Sequence, residues 1–145
     1  MAGKALHGQC LCGRVEYTAR EPIASLVCHC KDCQRQSGSA FSVVILFAAQ
    51  NVEYCGELST YSNKGDTGLK VERLFCPKCG SAVVSRCEVM PGVDVIKSGT
   101  LDDTSAVQPV AQLYCDREQS WVELPVASRF PLSVSPEMLL ARVAG

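Results

Sequence analysis

Seven of the ten cysteines in this 145-residue chain lie in three tight groups: Cys10-x-Cys12, Cys28-x-Cys30-x-x-Cys33 and Cys76-x-x-Cys79. Grouped thiols constrain a fold strongly, because each group fixes its own turn and must be brought to whatever its sulfurs share. The residues from Met1 to Gly8 include one basic side chain and no apolar run of the ~7 to 15 residues that an export signal needs. A cytoplasmic protein is therefore expected, in which thiols stay reduced and close cysteines hold metal or do redox chemistry rather than build a disulfide framework.

Charge and hydropathy narrow the function classes. Fourteen Lys and Arg against fifteen Asp and Glu give a net charge of -1, which offers no basic excess for a nucleic-acid backbone. The longest apolar run, 43–49, falls well short of the ~20 residues of a membrane span. Neither a repeat nor a low-complexity linker divides the chain, so one domain over residues 1–145 is expected. Segments rich in β-branched residues recur between Gly, Asn, Asp and Pro at 14–18, 40–47, 58–61, 70–75, 82–85, 93–97 and 110–114, the pattern of a mainly β protein. Helices are expected over 31–36 and over 137–143, the latter behind Ser135-Pro136. Turn residues mark 63–66 and 90–92 as exposed tips.

In Cys76-Pro77-Lys78-Cys79-Gly80 the Pro and Gly permit the tight turn that aims two sulfurs at one point, as a zinc knuckle requires. Cys10-Leu11-Cys12-Gly13 is a shorter version of the same device. Together Cys10, Cys12, Cys76 and Cys79 fill a tetrahedron and make a closed, structural zinc site. Closing the chain between Cys12 and Cys76 costs roughly 4 kcal/mol, against ~10 to 16 kcal/mol of apparent zinc binding energy. A thioredoxin-like reading of Cys76-x-x-Cys79 lacks its βαβ context.

Cys28, Cys30 and Cys33 have no partner pair. Three protein ligands are characteristic of a catalytic zinc with an open position, and spacing alone leaves that open site and one closed by His29, His7 or a leftover cysteine as equal readings. Cys55, Cys87 and Cys115 stand singly and are expected to be small buried apolar residues.

The runs His7-Gly8-Gln9-Cys10-Leu11-Cys12-Gly13, Cys28-His29-Cys30-Lys31-Asp32-Cys33 through Ser37-Gly38, and Phe75-Cys76-Pro77-Lys78-Cys79-Gly80 resemble the glutathione-dependent formaldehyde-activating enzyme family, which also includes centromere protein V. Later pieces, Gly99-Thr100-Leu101-Asp102-Asp103 and Arg129-Phe130-Pro131, extend the resemblance over about residues 6–131. The resemblance implies an Mss4-like, zinc-stabilised β fold with short helices and two zinc ions per chain. It places the structural ion on Cys10, Cys12, Cys76 and Cys79 and a catalytic-type ion on Cys28, Cys30 and Cys33. It also implies a carbon-sulfur lyase that joins glutathione, or another small thiol, to formaldehyde. Three thiolates weaken the acidity of a zinc ion, so delivery of a thiol fits better than activation of water. Lys31, Gln34, Arg35 and Ser37 lie near enough in sequence to position a glutathione-like ligand, although solvated helix residues look the same. Asp32, His29 and Glu53 compete as acid or base, and none is assigned. The alternative is a non-catalytic zinc module that contacts a protein partner. Chromatin association, by analogy with centromere protein V, would need a basic segment that this chain lacks.

Overall fold

The computed structural model describes residues 3–135 together with Glu137, Met138 and Ala141. The helix expected over 137–143 lies for the most part outside the described residues. The chain is mainly β. A three-stranded antiparallel sheet has the order β1 (Leu6–Gln9), β2 (Glu16–Ala19), β5 (Val52–Cys55). A seven-stranded sheet has the order β10 (Pro109–Leu113), β3 (Ala24–Cys28), β4 (Ser42–Ala48), β9 (Val93–Lys97), β8 (Ala82–Cys87), β7 (Lys70–Phe75), β6 (Ser59–Lys64). Its pairings are antiparallel except that of β10 with β3. One α-helix, α1 (Lys31–Ser37), leaves the end of β3. No helix among the described residues is long and apolar enough to cross a membrane.

The large sheet has two differently used faces. Strand β4 reads Ser-Val-Val-Ile-Leu-Phe-Ala and is buried on both sides, as its nearly continuous apolar run predicts. Because side chains alternate along a strand, Ile45 and Phe47 go to one face with Leu74, Val84 and Ile96. There they pack with Val15, Tyr17 and Val52 of the small-sheet side and with Cys10 and Cys76. Val44 and Leu46 go to the other face with Leu26 and Val95. Ile45 and Phe47 of β4 therefore belong to one interior and Val44 and Leu46 to another.

The strands expected over 70–75 and 93–97 form with those bounds, and those at 14–18, 40–47, 58–61, 82–85 and 110–114 form shifted by a few residues. Strands β1, β3 and β5 were not expected, since none has the β-branched run used as the signal. The turn at 63–66 begins later, because Asn63 and Lys64 are still paired in β6 with Val71 and Lys70. Gly38 ends α1 in the left-handed conformation (φ 64°). A side chain there would meet nothing, so the helix stop, not a close backbone approach, explains this glycine.

Gly56, directly after β5, is a true close approach. Its φ is +104°, and a Cβ there would sit 2.2 Å from the Arg14 carbonyl oxygen. The absence of a side chain lets the loop bearing Cys10 and Cys12 approach the end of β5 at Arg14. Gly56→Ala should lower stability by about 1 to 3 kcal/mol, the usual range for forced overpacking, read as a lower urea midpoint at unchanged slope. Parent-like stability would mean that this loop yields freely.

Candidate functional site

The first cysteine cluster joins the two sheets. Cys10 and Cys12 lie in the loop after β1, and Cys76 and Cys79 in the β7–β8 turn. The local turns follow from the motifs. Gly80 N–H donates to the Cys76 carbonyl (2.9 Å), and Cys76 N–H to the Ser81 carbonyl (3.0 Å). In the partner loop Gly13 N–H donates to Cys10 (3.1 Å). Across the gap, Leu11 N–H donates to Ser81 Oγ (3.0 Å), and Val15 N–H points at Cys10 Sγ (3.3 Å). Hydrogen bonds from the Ser81 hydroxyl and backbone hold the Cys79 thiol down at about 5.

All four sulfurs lie within 4.8 Å of one another. The Cys10–Cys12 sulfur separation is 3.6 Å and Cys12–Cys76 is 3.8 Å. A tetrahedron with metal–sulfur bonds of ~2.3 Å has edges of about 3.8 Å, whereas a disulfide would need about 2.05 Å. The donor set therefore fits a four-coordinate metal ion.

The second cluster lies at the opposite face of the large sheet. Strand β3 delivers Cys28, and His29 N–H holds the chain to the Leu113 carbonyl (3.0 Å). Cys30 caps α1 by accepting from Cys33 N–H at 3.3 Å, which turns Cys33 back beside Cys28 and Cys30. These three sulfurs also lie within 4.8 Å of one another. The Cys28 and Cys33 thiols donate to Cys30 and hold it down at about 2, while the same bond pushes Cys28 up. The two neighbouring sulfurs thus favour a thiolate at Cys30, which is the chemistry of a cation-binding set.

Helix α1 is strapped down on both sides. Buried Gln34 donates to the carbonyls of His29 (2.8 Å) and Arg117 (3.0 Å). Arg73 of β7 reaches Asp32 (3.4 Å), Gln36 (3.1 Å) and Asn63 (3.0 Å). The triplet, Asp32, Arg73 and Lys97 line a cavity of ≈ 180 Å³ together with the Val44–Leu46 face of the sheet, the loop at Asp66 and Thr67, and Tyr114. Lys97 Nζ donates to Ser42 Oγ (2.8 Å). Burial holds its ammonium below the usual range even though the neighbouring cysteines oppose that shift.

No His, Cys, Asp or Glu among the described residues joins the triplet as a fourth donor. His29, one expected filler, is fully buried and turned away: its Nε2 bonds Gln112 Oε1 (2.9 Å), and its ring meets Phe41 edge-on. His29 gathers instead with Cys115 and Glu118. There the Arg129 guanidinium pairs with Glu118 and holds that carboxyl below its ordinary range, so the cluster already contains its cation. His7 bonds Thr18 on the small sheet (3.1 Å), and Glu53 lies beside it in β5. Of the acid–base candidates only Asp32 lines the cavity, where Arg73 and Asn63 engage it. Lys31 and Arg35 are exposed, and Gln34 and Ser37 are used to hold the helix. None of these four lines the cavity.

The family model for the glutathione-dependent formaldehyde-activating enzyme matches residues 5–117, which includes all seven clustered cysteines. The chain belongs to this family. A crystal structure of a Rhodobacter sphaeroides protein, a structural genomics target, superposes with a TM-score of 0.55 over 71% of this chain and 91% of that one. At 21% identity that likeness speaks to the fold. A comparison with curated proteins found no match. Family membership supports a glutathione-dependent formaldehyde-activating type of role, and the two cysteine clusters are groups that could hold metal ions.

Arg73, Ser85 and Lys97 were missed in the sequence. The one available signal was a polar residue at an apolar alternation position: Lys97 continues the face of Val93 and Val95. The single cysteines also depart from expectation, since Cys55 is exposed and Cys87 and Cys115 are half-buried. Brief alkylation by iodoacetamide, followed by peptide mass spectrometry, should label Cys55 well ahead of Cys10 and Cys76. Equal labelling would contradict the burial of Cys10 and Cys76.

Proposed function

We propose that this chain is a zinc-dependent enzyme of the carbon-sulfur lyase type, making or breaking the adduct of a small thiol, such as glutathione, with an aldehyde, such as formaldehyde. In this reading Cys10, Cys12, Cys76 and Cys79 hold a structural zinc ion. Cys28, Cys30 and Cys33 hold a second one at the reacting site, giving about two ions per chain. The observation that carries the reading is the contrast between the clusters: four sulfurs close on one another, whereas three converge at the wall of a cavity with no fourth donor among the described residues.

Bound at the triplet, zinc supplies a positive centre that favours thiolate over thiol and acts as a Lewis acid toward oxygen. The reaction adds the thiol sulfur to the carbonyl carbon. The S–H bond breaks, a C–S bond forms, and the proton ends on the former carbonyl oxygen. The chain's own residues prepare the place. Lys97 sets a positive charge beside the three cysteines, Arg73 keeps α1 at a fixed height over the sheet, and the apolar wall limits the water that competes for the carbonyl. If both clusters were purely structural, a donor completing the triplet would be expected.

Metal analysis separates the two roles. Cys76→Ser should unfold or aggregate the protein, because the ~10 to 16 kcal/mol of metal binding lost is as large as the whole ~5 to 15 kcal/mol by which a typical domain is stable. Cys30→Ser should remain folded and retain about one zinc ion. Like behaviour of the two variants would abolish the distinction. NMR exchange spectroscopy should show faster interconversion of formaldehyde and its glutathione adduct with the protein than in buffer, and Cys30→Ser should remove the acceleration. A parent protein with no effect on exchange would exclude the namesake reaction.

A further inference from the structure

The cavity behind the triplet is larger and more apolar than formaldehyde requires. Beyond Lys97 most of its wall is apolar, with Leu26, Val44, Leu46 and Val95 on the sheet, while Asp66 and Tyr114 also line it. An apolar cavity of about 150 Å³ takes up benzene, and this one measures ≈ 180 Å³. Pockets for drug-sized ligands run to ~300 Å³ and above, so a whole tripeptide does not fit inside. Charge argues the same way. Arg73 is committed to Asp32, Gln36 and Asn63, and Lys97 stands beside the cysteines, so the apolar part offers a carboxylate no free cation among the described residues.

A second observation points to a ligand. Ser85, on β8, is 5% exposed and lines this cavity, yet its Oγ has no hydrogen-bond partner among the described residues. It pairs across the sheet with Val95 and Arg73, one side-chain repeat, about 7 Å, further along the face than Lys97. A buried hydroxyl without a partner is costly, and so is an unfilled apolar volume. One bound molecule with a compact apolar body and a single polar atom would relieve both.

Building on the lyase reading, we infer that the carbonyl substrate carries an apolar substituent about the size of a phenyl ring or a short alkyl chain, and that the Ser85 hydroxyl bonds one polar atom on it. The thiol adds to the aldehyde carbon at the cysteine end, with the bond changes given above, while the substituent fills the Leu46–Val95 end. A glutathione thiol would reach in from the mouth, with its carboxylates outside.

The test has a binding arm and a turnover arm, both on the zinc-loaded protein. Benzyl alcohol and toluene are titrated by heteronuclear NMR. Both should shift amide signals around Ser85 and Val95, and Ser85→Ala should weaken benzyl alcohol about 3- to 10-fold without weakening toluene. In exchange spectroscopy with glutathione, pentanal and benzaldehyde should be accelerated more than formaldehyde. Val95→Phe, with its metal content checked, should lower the pentanal-to-formaldehyde rate ratio at least tenfold. Absence of probe binding, an unchanged alcohol preference in Ser85→Ala, or acceleration of formaldehyde alone overturns the inference and leaves the lyase reading standing. Probe binding without acceleration of any aldehyde overturns the lyase reading, and with it the assignment of this cavity to a carbonyl substrate.

Discussion

The alternation of side chains along the strands of the seven-stranded sheet is the constraint from which the rest follows. Successive residues of β4 point to opposite faces, so Ile45 and Phe47 enter the packed interior between the two sheets while Val44 and Leu46 line the cavity. A register slip of one residue would exchange these sets. The antiparallel pairing of β4 with both β3 and β9 fixes the register from two sides. Two cysteine clusters of different size can coexist in so short a chain because the sheet keeps them on different faces.

Each cluster takes its character from the elements that deliver it. Cys10, Cys12, Cys76 and Cys79 come from two loops that have nothing else to do but meet, and cross-loop hydrogen bonds such as Leu11 to Ser81 lock the meeting. The result is closed, with Cys10 and Cys76 buried in the inter-sheet core. Cys28, Cys30 and Cys33 come instead from a strand end and the first turn of a short helix. That helix is braced by Gln34 on its inner side and by Arg73 on its outer side. Bracing a helix at the rim of a sheet leaves space under it, and the cavity is that space.

The buried polar groups near the triplet divide the same way. His29, adjacent in sequence to two of the three sulfurs, turns its Nε2 to Gln112 and lies beside Glu118 at the β3–α1 junction. Arg73, Lys97 and Ser85, distant in sequence, are polar groups that face the cavity from the sheet. Sequence proximity to the three cysteines therefore did not show which residues share their cavity.

The sequence by itself determined the cysteine grouping, the family, the mainly β class and the bounds of strands such as Lys70–Phe75 and Val93–Lys97, because these depend on spacing and alternation within a few residues. It also separated a group of four thiols from a group of three. Strands β1, β3 and β5 escaped it because short segments such as Leu-His-Gly-Gln are held extended by their neighbours and not by their own composition. Only the tertiary structure decided that His29 turns away from the triplet, that Cys55 is exposed, and that Arg73, Ser85 and Lys97 face the cavity with it. Those outcomes depend on which strands become neighbours across the sheet and on which face each residue is left, and no local pattern of residues encodes that choice.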